Sequence, residues 1–160
     1  TVLYNLGQVG ELELLRELDG ELVFPSGVAD EITVEPAATN LDRFLEEKSV
    51  VTEPDIEAFI EDAERLLGES ETSDGQLIAG LLAARDREES VALVSDDRRL
   101  RAVADGLGAT VTGTFGVVVR VSLDDKYFPT TQAKRVIRRT DHHGLQMTGR
   151  LRERAIGEVD

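Results

Sequence analysis

The 160-residue chain contains no cysteine. Disulfides, zinc–thiolate centres and thiol nucleophiles are therefore excluded together. Basic residues are scarce: 18 Lys and Arg stand against 32 Asp and Glu, a formal net charge of −14. Nucleic-acid binders are normally basic, so the overall balance argues against a polyanion partner at first sight. Aromatic residues make up only 4% of the chain, and Tyr4, Tyr127 and Phe128 are too few for a base-stacking platform. No apolar run approaches the length of a membrane span, and no secretory signal pattern opens the chain. The glycine-rich phosphate loop, the dinucleotide fingerprint and the serine-hydrolase elbow are all missing, so nucleotide cofactors and acyl-enzyme chemistry have no support. The length suits one domain, burying about two thirds of its unfolded surface. A cytoplasmic setting is the expectation.

The charge is uneven. Residues 46–74 carry eleven acids against Lys48 and Arg65, whereas residues 126–154 carry eight bases against Asp141 and Glu153. A basic segment on an acidic chain is a sharper signal than net charge, because phosphate contacts are made locally. The acidic surface itself suits a salt-rich cytosol, and a halophilic source is the expectation.

Hydrophobic periodicity orders the chain into alternating strands and helices. Residues 1–6 read as a strand end or its exit into a helix, and Val9, Leu12, Leu14, Leu15 and Leu18 as a short helix ended by Gly20. Glu21 to Phe24 is a strand stopped by Pro25, after which Ser26 opens a helix reaching about Thr33. Residues 36–40 read as loop and 41–48 as helix. Val50-Val51 is a brief strand. Ile56, Phe59, Ile60, Ala63, Leu66 and Leu67 hold helical spacing up to Gly68. Thr72-Ser73-Asp74 caps a further helix with Leu77, Ile78, Leu81 and Leu82 inward. Repeated βα order predicts an α/β fold with a central parallel sheet.

The stretch from Val91 to Val111 is the most informative. A short apolar run ends at Ser95-Asp96-Asp97, and a helix follows with Leu100, Val103, Ala104 and Leu107 on one face. Carboxylates at the C-terminal end of a parallel strand stand where open α/β sheets put their ligands. The same acids also suit helix capping, so position alone does not separate the two roles.

Taken with three other places, this stretch resembles the PIN domain, a family of metal-dependent nucleases. Ser95-Asp96-Asp97 matches the Ser/Thr-x-Asp that ends a family strand. Pro25-Ser-Gly-Val-Ala-Asp-Glu31 matches the segment that carries the second family acid, and Asp74-Gly-Gln-Leu-Ile-Ala-Gly matches the start of the central helix. Gly113-Thr114-Phe115-Gly116 is similar to the turn after the last strand in one branch of the family. That resemblance makes 114–121 helical, although Val117-Val118-Val119 favours a strand by propensity.

The resemblance implies a three-layer α/β/α fold with a central parallel sheet over residues 1–122, followed by a basic helical C-terminal extension over 123–160 with helices at about 131–139 and 148–156. It implies Glu31, Asp74 and Asp97 as catalytic acids and ligands of Mg²⁺ or Mn²⁺, with Ser95 and Asp96 beside them. The first family acid ends a first strand, and the chain from Thr1 resembles what directly follows it; the expectation is that the numbering starts late. RNA is the implied substrate, and Arg135, Arg138 and Arg139, at helical spacing, are candidates to contact its phosphates. Toxin members pair with a small antitoxin protein, which leaves such a partner, or a homodimer, open. The rival reading is a PIN-fold binding module without catalysis. Arg98, Arg99 and Arg101 suit either a substrate phosphate or Asp105, and His142-His143 reads as a polar turn.

Overall fold

A computed structural model of the chain describes residues 2–47, 50–124 and 130–142. Helix α1 (Val2–Val9) opens it, and a 3-10 turn at Leu12–Glu17 leads to strand β1 (Leu22–Val23). Short helix α2 (Ser26–Asp30) and helix α3 (Ala37–Leu45) precede β2 (Val50–Val51). A 3-10 turn at Glu57–Phe59 feeds α4 (Ile60–Leu67), followed by α5 (Ser73–Asp86), β3 (Ala92–Val94), α6 (Arg98–Gly106) and β4 (Thr110–Thr112). Helices α7 (Thr114–Asp124) and α8 (Thr130–His142) complete the described chain.

The punctuation follows local chemistry. Gly10, at φ +73°, breaks what the apolar spacing presents as one continuous helix from Val9 to Leu18, because a left-handed residue cannot continue a right-handed turn. Gly68 does the same at the end of α4, with φ 70° and its N–H on the Glu64 carbonyl. Thr72 caps α5 by accepting the Gly75 N–H at 3.0 Å. Helix α3 starts earlier than the loop expected at 36–40. Glu35 accepts both the backbone N–H and the hydroxyl of Thr39, at 3.1 and 2.9 Å, and so fastens its first turn.

The strands form two parallel pairs. Leu22 and Val23 of β1 lie opposite Val50 and Val51 of β2, and Ala92 to Val94 of β3 lie opposite Thr110 to Thr112 of β4. Parallel pairing with helical crossovers is the α/β class expected from the βα order. Among the described residues each sheet has two strands, β1-β2 and β3-β4, where one central sheet was expected.

Each pair has its own core. Beside β1, Leu3 and Leu6 of α1 meet Leu41 and Phe44 of α3, Val117 and Val118 of α7, and Ala133, Val136 and Ile137 of α8. Phe24 stacks on Phe44 with ring centroids 6.0 Å apart, and the Arg16 guanidinium lies 4.5 Å from the Phe44 ring centre. Beside β3, Ile78, Ala79 and Leu81 of α5 pack with Ala63, Leu67, Leu93, Leu100 and Ala104. The valine run of α7 is helical because both its faces find apolar partners, so tertiary burial overrides its strand propensity. Helix α8 shares the first core while exposing Arg135, Arg138 and Arg139. The helix expected at 148–156 lies outside the described residues. Among the described residues no helix is long and apolar enough to cross a membrane.

Candidate acidic site at three strand and helix ends

Three chain segments converge to form the site. The first is α2, whose last turn ends at Glu31, still in helical geometry. The second is the start of α5, where Ser73 and Asp74 follow the Thr72 cap. An acid in a first helical turn faces the positive end of the helix dipole. The third is the exit of β3, where Ser95 is buried and accepts the Asp97 N–H on its Oγ at 3.1 Å. Asp97 is the N-cap of α6 and accepts the Leu100 N–H at 2.8 Å. Capping thus occupies one Asp97 oxygen, and the side chain is exposed.

Two contacts zip α2 to α5. Ser73 Oγ donates to Glu31 Oε1 at 2.5 Å, and the Gly27 N–H donates to Gln76 Oε1 at 3.1 Å. A Cβ at position 27 would stand 2.7 Å from that Gln76 oxygen, so a larger residue there displaces the Gln76 amide and loosens this contact. Asp74 reports the outcome electrostatically. Its carboxyl is held above the ordinary aspartate range, first by burial and then by the negative charges of Asp97, Glu31 and Glu69. The three predicted acids therefore share one electrostatic neighbourhood. Arg99 lies on its rim, donating to Glu69 Oε1 at 2.5 Å and to the Leu67 carbonyl, within the fields of Asp97 and Asp74.

Asp96 faces a different environment. Its Oδ1 accepts the Thr114 N–H at 2.8 Å, and its Oδ2 accepts the Thr114 hydroxyl at 2.6 Å and Asn5 Nδ2 at 2.9 Å. Asn5 and Thr114 are buried. The carboxylate thereby ties the exit of β3 to α1 and to the first residue of α7. Gly113 fits beside it because a Cβ there would lie 2.5 Å from Asp96 Oδ1. The Gly-Thr turn was visible in the sequence, but its physical role was not. Asn5, Ser73 and Gln76 gave no sequence signal beyond being polar residues in apolar or capping surroundings.

The basic candidates lie on α8. Arg139 and Arg135 are close enough to Glu11 to oppose the upward shift that burial imposes on its carboxyl. Arg135 and Arg139 therefore have an intramolecular partner in reach. His142 is the last residue of α8, and His143 lies outside the described residues.

The acidic rim suits a hard divalent cation by donor type, since its named side chains Glu31, Asp74 and Asp97 offer carboxylate oxygens. Its mutual repulsion, seen at Asp74, is what such a cation relieves. Among the described residues no group of three or more Asp, Glu or His side chains closes around a single point. Mg²⁺ keeps several waters and is commonly held by one or two carboxylates, so a closed cage is not required.

Carboxylates at the strand and helix ends of a parallel α/β frame stand where such folds place their ligands. A family model described as a PIN domain, DUF3368, matches residues 1–160, and the chain belongs to that family. The fold is nuclease-like, and PIN domains generally use divalent metals. Neither the curated proteins nor the solved structures gave a significant match.

Proposed function

We propose that the chain is a Mg²⁺- or Mn²⁺-dependent ribonuclease of PIN type, with Asp74 at the centre of its acidic site. The observation that carries this reading is the meeting of the α2 end, the α5 start and the β3 exit, which brings Glu31 onto Ser73 and leaves Asp74, raised first by burial, within the fields of Asp97 and Glu31. Like charges are costly to assemble, and such perturbed groups cluster at functional sites. Asp74 and Asp97, with Glu31 beside them, would hold the ion, which supplies water activation and charge neutralisation at the phosphate. Ser73 fixes the Glu31 carboxylate by donating to it. Ser95 holds the Asp97 backbone, and the α6 cap fixes one Asp97 oxygen, leaving the other free for a ligand. Asp96 anchors β3, α1 and α7 and so sets where Asp97 stands.

The same reading takes the two strand pairs as flanks of one central sheet in a three-layer arrangement, with residues 123–160 as a basic extension. RNA would reach the acids past Arg135, Arg138 and Arg139. A toxin role with an antitoxin partner, a homodimer, a cytoplasmic setting and a halophilic source belong to this proposal as well.

Cleavage of single-stranded RNA with and without chelator tests it. Activity should require Mg²⁺ or Mn²⁺ and be lost in Asp74→Asn and in Asp97→Asn. Asn caps helices about as well as Asp, so Asp97→Asn removes the charge and keeps α6. Cleavage by Asp97→Asn at the parent rate would remove that residue from the mechanism. The alternative, a binding module without catalysis, is favoured by the acidic balance of the chain, 32 Asp and Glu against 18 Lys and Arg. It predicts RNA or protein binding without turnover.

A further inference from the structure

Arg99 stands where its own helix disfavours it. The N-terminal end of a helix carries the positive pole of the dipole and repels cations. Yet Arg98 and Arg99 directly follow the Asp97 cap in the first turn of α6, with no acid beside them in that turn. A residue type set against its local preference points to a task outside its helix. The Arg99 side chain crosses to the end of α4, where Nη1 donates to Glu69 Oε1 at 2.5 Å and Nη2 donates to the Leu67 carbonyl.

Closing α4 does not account for this contact. Gly68 already ends that helix in left-handed geometry, and the Gly68 and Glu69 N–H groups both return to the Glu64 carbonyl. The pair with Glu69 is not a buried bridge either. Its two side chains, Arg99 and Glu69, are 58% and 44% exposed, and an ion pair so open to water is easily exchanged for another anion. What the two contacts achieve is direction. They hold the guanidinium on the rim of the acidic site, within the fields of Asp97 and Asp74.

Charge complementarity says what it can take. A polyanion arriving at Glu31, Asp74 and Asp97 is repelled by their carboxylates, and a fixed cation on the rim offsets that repulsion. A guanidinium presents five N–H donors in a planar fork that matches two phosphate oxygens. The contacts to Glu69 and Leu67 use one donor on each terminal nitrogen. We propose that Arg99 is a phosphate-binding residue of the acidic site, which exchanges Glu69 for a backbone phosphate of single-stranded RNA. Glu69 is then its resting partner and its competitor. The proposal takes its substrate class from the ribonuclease reading but concerns binding alone.

Binding of a short single-stranded RNA, followed by fluorescence anisotropy across salt with Ca²⁺ as the hard cation, tests it. Glu69→Gln should tighten binding severalfold, because the carboxylate that competes for Arg99 is gone. Arg99→Ala should weaken it by about tenfold, as for a lost hydrogen-bonded charge, and should flatten the salt dependence by a slope of about 0.7. Arg99→Lys keeps the charge and loses the fork, so it should keep the slope and recover part of the affinity. In the Arg99→Ala background Glu69→Gln should gain nothing, a coupling that the double-mutant cycle reads directly. If the pair merely staples α4 to α6, both single variants weaken binding together, and the proposal is overturned. Equal tightening by Glu69→Gln with and without Arg99 would overturn it too, as would a parent chain that binds no RNA. Cleavage is read separately with Mg²⁺. A chain that binds in this pattern and never cuts would sink the ribonuclease reading and leave Arg99 its phosphate.

Discussion

Asp96 and Asp74 stand at similar junctions and are treated in opposite ways. Asp96 receives three hydrogen bonds from two buried residues, Thr114 and Asn5, and its charge is absorbed by the fold. Asp74 accepts no hydrogen bond from a side chain among the described residues and faces three other carboxylates. A carboxylate matched by donors is part of the frame, whereas one surrounded by its own charge is held there at a cost by the packing of α5. The contrast separates structural from functional acids more cleanly than sequence position does, since Asp96 and Asp97 are adjacent.

The largest effect should come from breaking the clamp. Thr114→Val removes the hydroxyl from Asp96 within a closed interior, and hydrogen bonds to charged groups are worth about 1.5–3 kcal/mol each. Denaturant unfolding should show a loss of about 3 kcal/mol, while Thr114→Ser should restore most of it. If Thr114→Val unfolds like the parent, Asp96 is not held as described. Opening the α2–α5 zipper should matter less. Ser73→Ala removes one exposed hydrogen bond to Glu31 and should cost about 1 kcal/mol or less. By freeing Glu31 it should still reduce divalent-ion affinity, measurable by titration calorimetry.

Asp74 predicts the opposite sign. Its folded-state carboxyl binds a proton more tightly than in the unfolded chain, so its contribution favours the fold at low pH and turns unfavourable as pH rises through the folded-state value. Asp74→Asn should therefore raise the melting temperature at pH 7 and lose that advantage as pH falls below the ordinary aspartate range. A variant less stable at pH 7 than the parent would mean that Asp74 serves its helix more than any site. The smallest stability change should follow Arg135→Ala, Arg138→Ala and Arg139→Ala together, since these side chains are exposed and only partly offset by Glu11, which feels Arg139 and Arg135. If RNA binds across α8, the triple variant should flatten the salt dependence of binding by a slope of about 0.7 per lost phosphate contact. An unchanged slope would assign the arginines to Glu11 and to packing.

Much of this contrast was legible in the sequence, and some was not. Caps announce themselves by residue type, which is why Thr72, Asp97 and Gly68 were readable in advance. The helix over the Val117–Val119 run was readable only through the Gly113-Thr114-Phe115-Gly116 resemblance, because propensity alone points to a strand. The break at Gly10 was missed: leucines at 12, 14, 15 and 18 continue an apolar pattern that a single left-handed glycine redirects into a 3-10 turn. The Asp96 clamp was out of reach for a different reason. It joins residues 5, 96 and 114, and no local pattern links positions some 90 to 110 apart. The expected central sheet also differs from the two two-stranded pairs found among the described residues, because periodicity marks strands but not which strands pair.

The central claim is that Asp74 lies in a field of like charge that a divalent cation relieves. Carbon-13 NMR titration of its carboxyl, without metal and then with Mg²⁺, tests this most directly. The account predicts a proton affinity above that of an ordinary aspartate without metal, a partial return toward the ordinary range in Asp97→Asn, and a fall on adding Mg²⁺. An Asp74 that titrates as an ordinary aspartate, indifferent to both Asp97→Asn and Mg²⁺, would contradict it.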